Sequence, residues 1–308
     1  MKKLIYTFII IVLLSPISFA SDLEITEVLS KQNQYLQKLY SLEFTAKIIG
    51  VGSEESTKLQ KLPANKLESR MIFVYNGSKY RSEVLAAGPP DEKKPTYVSA
   101  YDGERYYLLE VKQKPILFLS RRPHSFNNPY YGINPVLFPF EFVFQKGDEL
   151  SIKTLQKEEI WSRLKGEIIE TQKIKKSGHD GIKIILKKRL DVTTGREEIY
   201  EVFFAEDLNY YPIYWKSTDQ LIKGWTETSV LEFKRYGEEN GNIIIPTRIQ
   251  SNIYFEGGKF SDSLYIEIIP STLKVNQPVK DEVFTIPISQ VDRVYDADAD
   301  MWFAPNKK

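Results

Sequence analysis

Cysteine is absent from this 308-residue chain, and histidine occurs only at His124 and His179. Without thiols the chain forms neither disulfides nor thiolate metal centres, so the burial of apolar surface has to stabilise it. The sequence also contains no Gly-x-Ser-x-Gly elbow, no phosphate-binding glycine loop and no His-Glu-x-x-His helix. The patterns of common catalytic sites are therefore missing, and we expect a protein that is not an enzyme and holds no cofactor.

An excess of charge of either sign is missing too. Lys and Arg number 42 against 41 Asp and Glu, which gives a formal net charge of +1. Nucleic-acid binding needs a basic excess to neutralise phosphates, so we expect no nucleic-acid partner. The tail sequence Asp296-x-Asp298-x-Asp300 begins like a calcium loop, but it lacks the central glycine and places Lys307 where a bidentate glutamate belongs. We therefore expect no metal site.

Long apolar runs are lacking, apart from Leu4–Leu14, which is too short to cross a bilayer as a helix. A basic start precedes this run and Ser18-Phe19-Ala20 follows it, which is the arrangement of a signal peptide cleaved after Ala20. No cysteine follows for lipid attachment, and an uncleaved anchor is the alternative. We expect residues 1–20 to be a signal peptide and residues 21–308 to be a single domain, exported to a periplasm and without a transmembrane segment.

Two hairpin-like stretches between Met71 and Val111 organise the predicted fold. Each places a turn dipeptide, Asn76-Gly77 or Asp102-Gly103, between runs rich in Tyr, Val, Ile and Phe. Asn-Gly and Asp-Gly tolerate the positive φ angles of tight type I′ turns, and the flanking residues suit half-buried strands. Consecutive hairpins of this kind predict an antiparallel sheet.

The rest of the chain adds two helices and further strands. Apolar residues recur at helical spacing over Ser21–Ser41 and over Ser151–Leu164, and the first helix needs an apolar surface to lie against. Polar turns separate the strands, which predicts an up-and-down meander. Phe284 and Ile286 are predicted to share one face of a closing strand. The other strands are predicted at Leu42–Gly50, Pro115–Ser120, Glu167–Lys175, Gly181–Arg189, Glu197–Ala205, Tyr210–Ser217, Thr226–Arg235, Ile243–Phe255 and Ser261–Ile269.

The segment Arg121–Gln145 interrupts this pattern. Prolines and asparagines break it, while aromatic residues, among them Phe138 and Phe140, make it apolar. Because apolar surface is costly in water, we expect the segment to pack on the sheet, either as a detachable lid or as a permanent plug.

Three short stretches follow one another in an order that is typical of a known protein family. They are Ser69–Arg81 with its Asn-Gly turn, Val98–Tyr107 with its Asp-Gly turn, and Phe284–Pro287 followed by Val294-Tyr295-Asp296. Together they resemble the outer-membrane lipoprotein carrier superfamily, the LolA/LolB-like proteins, of which this chain would be a longer, divergent member. The resemblance implies a mainly β fold, in which a large curved antiparallel sheet forms an incomplete barrel covered by an N-terminal helix and a short mid-chain helix or lid. The chain departs from the family at Tyr75, where the carriers have an arginine that latches the lid.

A barrel that does not close leaves a concave apolar surface, which is a common setting for a lipid site. We therefore predict a periplasmic, non-catalytic carrier or binding protein for a lipid or a lipoprotein acyl chain, and we expect it to be a monomer. The alternative is an envelope interaction or sensor protein that binds a protein partner through the same fold. The residues predicted to line the hydrophobic cavity, for which ordinary core packing is the alternative role, are Phe73, Tyr75, Tyr80, Tyr101, Tyr107, Phe138 and Phe140.

Overall fold

The computed structural model describes most of the chain. The described residues are 22–52, 67–77, 79–85, 95–111, 114–121, 166–191, 196–219, 224–237 and 242–305. The predicted signal peptide and the helix predicted at Ser151–Leu164 lie outside them, and so does the Arg121–Gln145 segment except for Arg121 itself. Within the described residues, the regular elements are one α-helix, α1 (Asp22–Lys38), sixteen strands and several short 3₁₀ turns.

The strands follow one another closely along the chain, and most of them coincide with a predicted strand to within a few residues. They are β1 (Ser41–Gly52), β2 (Leu67–Asn76), β3 (Lys79–Leu85), β4 (Tyr97–Tyr101), β5 (Tyr106–Glu110), β6 (Ile116–Ser120), β7 (Glu167–Lys176), β8 (His179–Asp191), β9 (Arg196–Ala205), β10 (Tyr211–Asp219), β11 (Gly224–Arg235), β12 (Ile244–Phe255), β13 (Lys259–Ile268), β14 (Lys274–Val275), β15 (Arg293–Asp296) and β16 (Met301–Phe303).

All of these strands belong to one large, curved, open sheet. β1 lies in its middle, between β2 and β13. The first wing consists of β2 to β6 with β15 and β16, and the second wing consists of β7 to β13. From one edge to the other the order is β16-β15-β6-β5-β4-β3-β2-β1-β13-β12-β11-β10-β9-β8-β7, with β14 also paired to β1. Neighbours are antiparallel except β6 and β15, which are parallel. The predicted fold class, an antiparallel sheet in the form of an incomplete barrel, is confirmed.

Helix α1 packs on one face of this sheet, which we call the inner face. Its buried side chains join one core with inner-face residues such as Phe44 and Phe73. The Tyr35 hydroxyl donates a hydrogen bond to the Ile244 carbonyl oxygen at 2.5 Å, and the Tyr35 and Tyr211 rings meet edge to face. None of the described stretches contains a helix long and apolar enough to cross a membrane. The buried helix residues, at helical spacing, are Ile25, Val28, Leu29 and Tyr35, and Leu39 directly after the helix is buried as well.

The C-terminal tail covers the opposite, outer face of the first wing. Ile286 and Val291 of the tail are buried against outer-face residues of β4, β6 and β15. Arg81 fastens the tail from β3, because its guanidinium donates hydrogen bonds to the carbonyl oxygens of Val283 and Thr285 at 3.0 and 3.3 Å. The outer-face residues that the tail covers are Val98, Leu117, Leu119 and Val294.

The loop between β4 and β5 differs from the predicted two-residue turn. It contains residues 102–105, and Tyr101 lies opposite Tyr106. The Asp102 carboxylate accepts hydrogen bonds from the backbone amides of Glu104 and Arg105, each at 2.8 Å, and so holds a wider turn than type I′. Gly103 has the predicted positive φ, at 102°.

The prediction of a closing strand at Phe284 and Ile286 is also wrong. Residues Asp281–Phe284 form a 3₁₀ turn, and Pro287, which cannot donate a hydrogen bond to a sheet, follows shortly after it. The predicted burial pattern nevertheless holds, since Phe284 and Ile286 are buried and Thr285 between them is exposed. The tail therefore packs on the sheet without joining it at this point.

Candidate ligand-binding face

Cross-strand register brings tyrosines of the first wing together on the inner face. Tyr75 lies opposite Tyr80, Tyr80 opposite Tyr101 and Tyr101 opposite Tyr106, so one line of rings crosses β2 to β5. Directly opposed residues in antiparallel strands share a face and lie close enough for their side chains to touch. The Tyr101 and Tyr106 rings stack with their centroids 4.3 Å apart, and the centroids of Tyr80 and Tyr101 are 6.3 Å apart.

Three more rings carry this aromatic surface to the edge of the sheet. Phe118 on β6 lies beside Tyr295 on β15, which lies opposite Trp302 on β16, and their centroids are 5.0 to 6.1 Å apart. Trp302 is 52% exposed, whereas Tyr106 is 7% and Tyr75 is 4% exposed. The inner face thus offers an apolar path from the edge strand β16 to the interior. We call it the aromatic row, and it consists of Tyr75, Tyr80, Tyr101, Tyr106, Phe118, Tyr295 and Trp302.

Two serines lie side by side next to the aromatic row. Ser82 on β3 is opposite Ser99 on β4, and Phe73 and Leu108 stand beyond them on β2 and β5. Because serine side chains are short, they leave a low strip among the larger side chains around them, which we call the serine trough. Both serines are almost fully buried. The residues that flank the trough in the neighbouring positions are Tyr80, Tyr101, Val84 and Tyr97.

Four of the residues predicted to line a cavity lie around this trough. Phe73, Tyr75, Tyr80 and Tyr101 all occupy inner-face positions of β2, β3 and β4. Phe73 and Tyr75 belong to the core that includes α1, and the Phe73 ring stacks on Phe44 with centroids 5.3 Å apart, so Phe73 also has a packing role. Tyr80 contacts both this core and the cluster around Tyr106. Phe138 and Phe140, which were predicted to join them, lie outside the described residues.

Tyr107 is not part of this group, because it lies on the outer face. It is opposite Ala100 and Leu119, one position from Tyr106, and the alternation of the strand turns its side chain away from the inner face. Its hydroxyl donates a hydrogen bond to the Asp102 carboxylate at 2.6 Å. Partial burial and this hydrogen bond raise the pKa of Tyr107 to about 12. Tyr107 therefore supports the loop after β4.

Two hydroxyl groups at the trough, those of Tyr75 and Ser82, are buried and form no hydrogen bond to a described residue. Tyr75 is 4% and Ser82 is 2% exposed, and in the described part of the chain neither hydroxyl has a hydrogen-bond partner. They lie on neighbouring strands, with Ser82 two positions beyond Tyr80, the residue opposite Tyr75. Burial raises the pKa of Tyr75 well above its ordinary value, so its hydroxyl remains a protonated donor at physiological pH.

The other polar clusters have a different chemical character. On the outer face, Glu227 accepts hydrogen bonds from the hydroxyls of Tyr254 at 3.0 Å and Tyr214 at 3.5 Å, and Lys176 Nζ lies 3.1 Å from the centroid of the Tyr214 ring. A cavity of about 340 Å³ beside the β7–β8 hairpin is lined largely by charged groups. Charged walls do not suit an apolar ligand. The charged residues of that cavity are Lys173, Lys175, Asp180 and Glu206.

The three tail aspartates act as acceptors for the protein's own donors. Asp296 accepts a hydrogen bond from the backbone amide of Asp298, Asp298 from that of Arg121 at 2.7 Å, and Asp300 from the Tyr295 hydroxyl at 2.7 Å. These bonds hold the β15–β16 turn against the end of β6. Among the residues that the structure describes, no group of three His, Cys, Asp or Glu side chains is placed to hold a metal ion.

Sequence reasoning missed the residues that make the site continuous. Tyr106 carries a usable signal, because alternation along β5 and any even-numbered loop after β4 put it on the face of Tyr101. The register of β3 against β4, which opposes the two serines, carries no local signal, because residues 86–96 join these strands in place of a short turn. Tyr295 and Trp302 carry no local signal, since the parallel pairing of β15 with β6 joins distant parts of the chain.

No family model matches this sequence, and no curated protein matches it. Solved structures similar to it include a DUF1329 family protein from Desulfovibrio piger, with a TM-score of 0.45 and 9% identity over 86% of this chain and 98% of that chain. The Mycobacterium tuberculosis lipoprotein LppX has a TM-score of 0.29 and 9% identity over 84% of this chain and 99% of its own. The Pseudomonas aeruginosa MucA/MucB complex has a TM-score of 0.23 and 5% identity over 82% of this chain and 99% of that chain. At such low identities and TM-scores, these similarities assign neither a family nor a function.

Proposed function

We propose that the protein is a non-catalytic, periplasmic carrier or binding protein for a hydrophobic ligand, namely a lipid or the acyl chain of a lipoprotein. The observation that carries this proposal is the aromatic row, which joins the buried serine trough to the exposed Trp302 at the edge of the sheet. The row contains no charged residue, and it begins at the exposed Trp302 and ends at the buried Tyr75. It therefore offers both an entrance and a buried end for an apolar chain.

The length of the path suits an acyl chain. From β3 to β16 the row crosses five strand spacings of ~4.8 Å, or roughly 24 Å, which is close to the extended length of a long acyl chain. Each CH₂ group that leaves water contributes ~0.8 kcal/mol, so about twelve such groups contribute roughly 10 kcal/mol before the entropy of ordering is subtracted. This is enough for tight binding without any charged contact.

Extraction of the purified protein with organic solvent, followed by mass spectrometry, tests whether a lipid copurifies. Displacement of a fluorescent fatty acid then gives the affinity. We expect Ser99→Leu, which fills the trough, to weaken binding by about tenfold or more. Ser289→Leu is the matched control, because Ser289 is exposed on a turn of the tail, and it should bind like the wild type. Equal affinities for both variants would contradict a site at the trough, and Ser99→Val repeats the test with less overpacking.

A second candidate function, the binding of a protein partner, is favoured by the edge strand β16. Its residues Met301, Trp302 and Phe303 are exposed, and an apolar edge strand can pair with a strand of another protein. The opposite edge strand, β7, instead carries several lysines, which protect an edge. Trp302→Lys separates the two functions. It should weaken fatty-acid binding if Trp302 belongs to the entrance of a lipid site, and leave that binding unchanged if β16 serves only a protein partner.

The periplasmic location rests on the signal-peptide pattern of residues 1–20. N-terminal sequencing of the protein from cell-envelope material should give Ser21 as the first residue. Recovery of the chain with Met1 retained would contradict cleavage.

A further inference from the structure

The Tyr75 and Ser82 hydroxyls indicate what kind of polar group the ligand carries. We infer that the ligand is an uncharged acyl ester, and that its carbonyl oxygen accepts a hydrogen bond from the Tyr75 or the Ser82 hydroxyl beside the serine trough. The inference rests on the proposed function, and it adds the chemical class of the ligand to the proposed apolar site.

Neither hydroxyl has a hydrogen-bond partner among the described residues. Burying a hydroxyl without a hydrogen bond is unfavourable, and native structures contain few such groups. Two of them occur together on one face of adjacent strands, and no described residue satisfies either one. Both are donors, and the aromatic row leads to them. An acceptor atom on a ligand that enters along the row would satisfy them.

The charges on the inner face determine which acceptor atom is compatible with the two hydroxyls. The inner-face positions of β1 to β6 contain no lysine, arginine or histidine, and Glu110 is the one carboxylate among them. Arg293 on β15 also takes an inner-face position, opposite Ile116, but it is exposed and lies four strands away from Ser82. Lys79 and Arg81 of β3 are turned to the outer face, where they hold Asp281 and the tail carbonyls. A buried carboxylate or phosphate without a cation is strongly disfavoured. The acceptor is therefore a neutral oxygen, and the carbonyl of an O-acyl ester is the neutral acceptor that lipids carry next to an acyl chain.

A matched pair of probes isolates the carbonyl group. Monolauroylglycerol has the ester carbonyl, and 1-O-dodecylglycerol has a CH₂ group in its place on a chain of equal length. Their affinities are compared by displacement of an uncharged fluorescent acylglycerol from the full-length mature protein. We expect the wild type to prefer the ester by ~3- to 10-fold, which corresponds to one neutral hydrogen bond. Tyr75→Phe, Ser82→Ala or the pair together should remove this preference without changing the affinity for the ether.

Tyr107→Phe is the matched control, because its hydroxyl lies on the outer face and bonds to Asp102. It should keep the full ester preference. The melting temperature of the ligand-free protein gives a second readout, and it should rise by ~1–3 °C in Tyr75→Phe, since the variant no longer buries an unsatisfied hydroxyl. If the Tyr75 hydroxyl bonds only a buried water, Tyr75→Phe should lower the melting temperature and leave the ester preference unchanged. That result overturns the inference.

Different results overturn the ester inference and the proposed apolar site. Equal binding of ester and ether by the wild type overturns the ester inference and leaves the proposed apolar site standing. A preference that persists in the Tyr75→Phe/Ser82→Ala double variant places the carbonyl elsewhere and overturns the inference as well. Failure of both probes and of the fluorescent acylglycerol to bind overturns the proposed function itself.

Discussion

The attachment of the C-terminal tail depends on one buried ring, and Phe284→Ala measures its contribution. Phe284 is 0% exposed at the end of its 3₁₀ turn. Phenylalanine-to-alanine changes in cores cost ~3–5 kcal/mol, and the cost is highest where the surroundings cannot close the cavity. Here the Arg81 hydrogen bonds and the burial of Ile286 hold the backbone beside the ring. We therefore expect a loss of about 4 kcal/mol in the free energy of unfolding.

Thr285→Ala is the neighbouring control. Its side chain is exposed, and its hydroxyl bonds only to the Glu282 carbonyl oxygen at 3.2 Å, so the expected loss is below about 0.5 kcal/mol. A double-mutant cycle adds Arg81→Lys, because lysine lacks the guanidinium that donates both hydrogen bonds to the tail carbonyl oxygens. Because Arg81 and Phe284 hold the same segment, their losses should be non-additive by ~0.5 kcal/mol or more.

Urea denaturation followed by tyrosine and tryptophan fluorescence gives these free energies, provided that the m-value stays constant among the variants. Equal losses for Phe284→Ala and Thr285→Ala would refute the reasoning, because the tail would then not be anchored by the buried ring. A cycle that is strictly additive would show that Arg81 and Phe284 stabilise unrelated parts of the fold.

Three further variants test individual turns and strands. Gly103→Val should cost ~1–3 kcal/mol by thermal melting, since φ is 102° there and a β-branched residue is strained at that angle. Gly181→Ala should cost ~3 kcal/mol or more in urea, because its added Cβ would lie 2.0 Å from the Phe204 carbonyl oxygen. For Asp102, partial burial acts to raise the pKa, but the Tyr107 hydroxyl and the loop amides outweigh it and lower the pKa of the carboxyl. The charged carboxylate therefore stabilises the fold above its ordinary pKa, and this stabilisation is lost as the pH falls through the lowered pKa. The difference in the free energy of unfolding between wild type and Asp102→Asn should thus narrow from pH 6 to below pH 4. A difference that stays constant with pH would contradict the lowered pKa of Asp102.

The fold could be predicted because its strands are long and their signals are local. Turn residues and alternating apolar residues place β7 to β13 within a few residues of their observed limits. The tail was less predictable, since Pro287 and the 3₁₀ turn before it replace a strand, and β15 joins the sheet through a parallel pairing with the distant β6. Nothing in the sequence around Arg293–Asp296 specifies that partner.

The candidate site could be predicted only in part, for a reason that Tyr106 and Tyr107 illustrate. The two residues are adjacent in β5 and therefore lie on opposite faces, and any loop with an even number of residues puts Tyr106 on the face of Tyr101. The predicted two-residue turn and the four-residue loop that Asp102 holds thus give Tyr106 the same face. The aromatic composition of the hairpins indicated an apolar surface, but which rings lie directly opposite one another required the register. The unsatisfied hydroxyls of Tyr75 and Ser82 become visible only once burial and hydrogen bonds are known.

The most direct test of an acyl-chain site on the inner face is photo-crosslinking with a lauroylglycerol that carries a diazirine on its chain. After irradiation and digestion, mass spectrometry identifies the labelled residues. We predict labels on the inner-face residues of β3 to β6, such as Tyr80, Tyr101 and Phe118. Excess monolauroylglycerol should suppress this labelling. Labels confined to outer-face residues such as Tyr107 or Glu227, or labels that excess ligand does not suppress, would contradict this prediction.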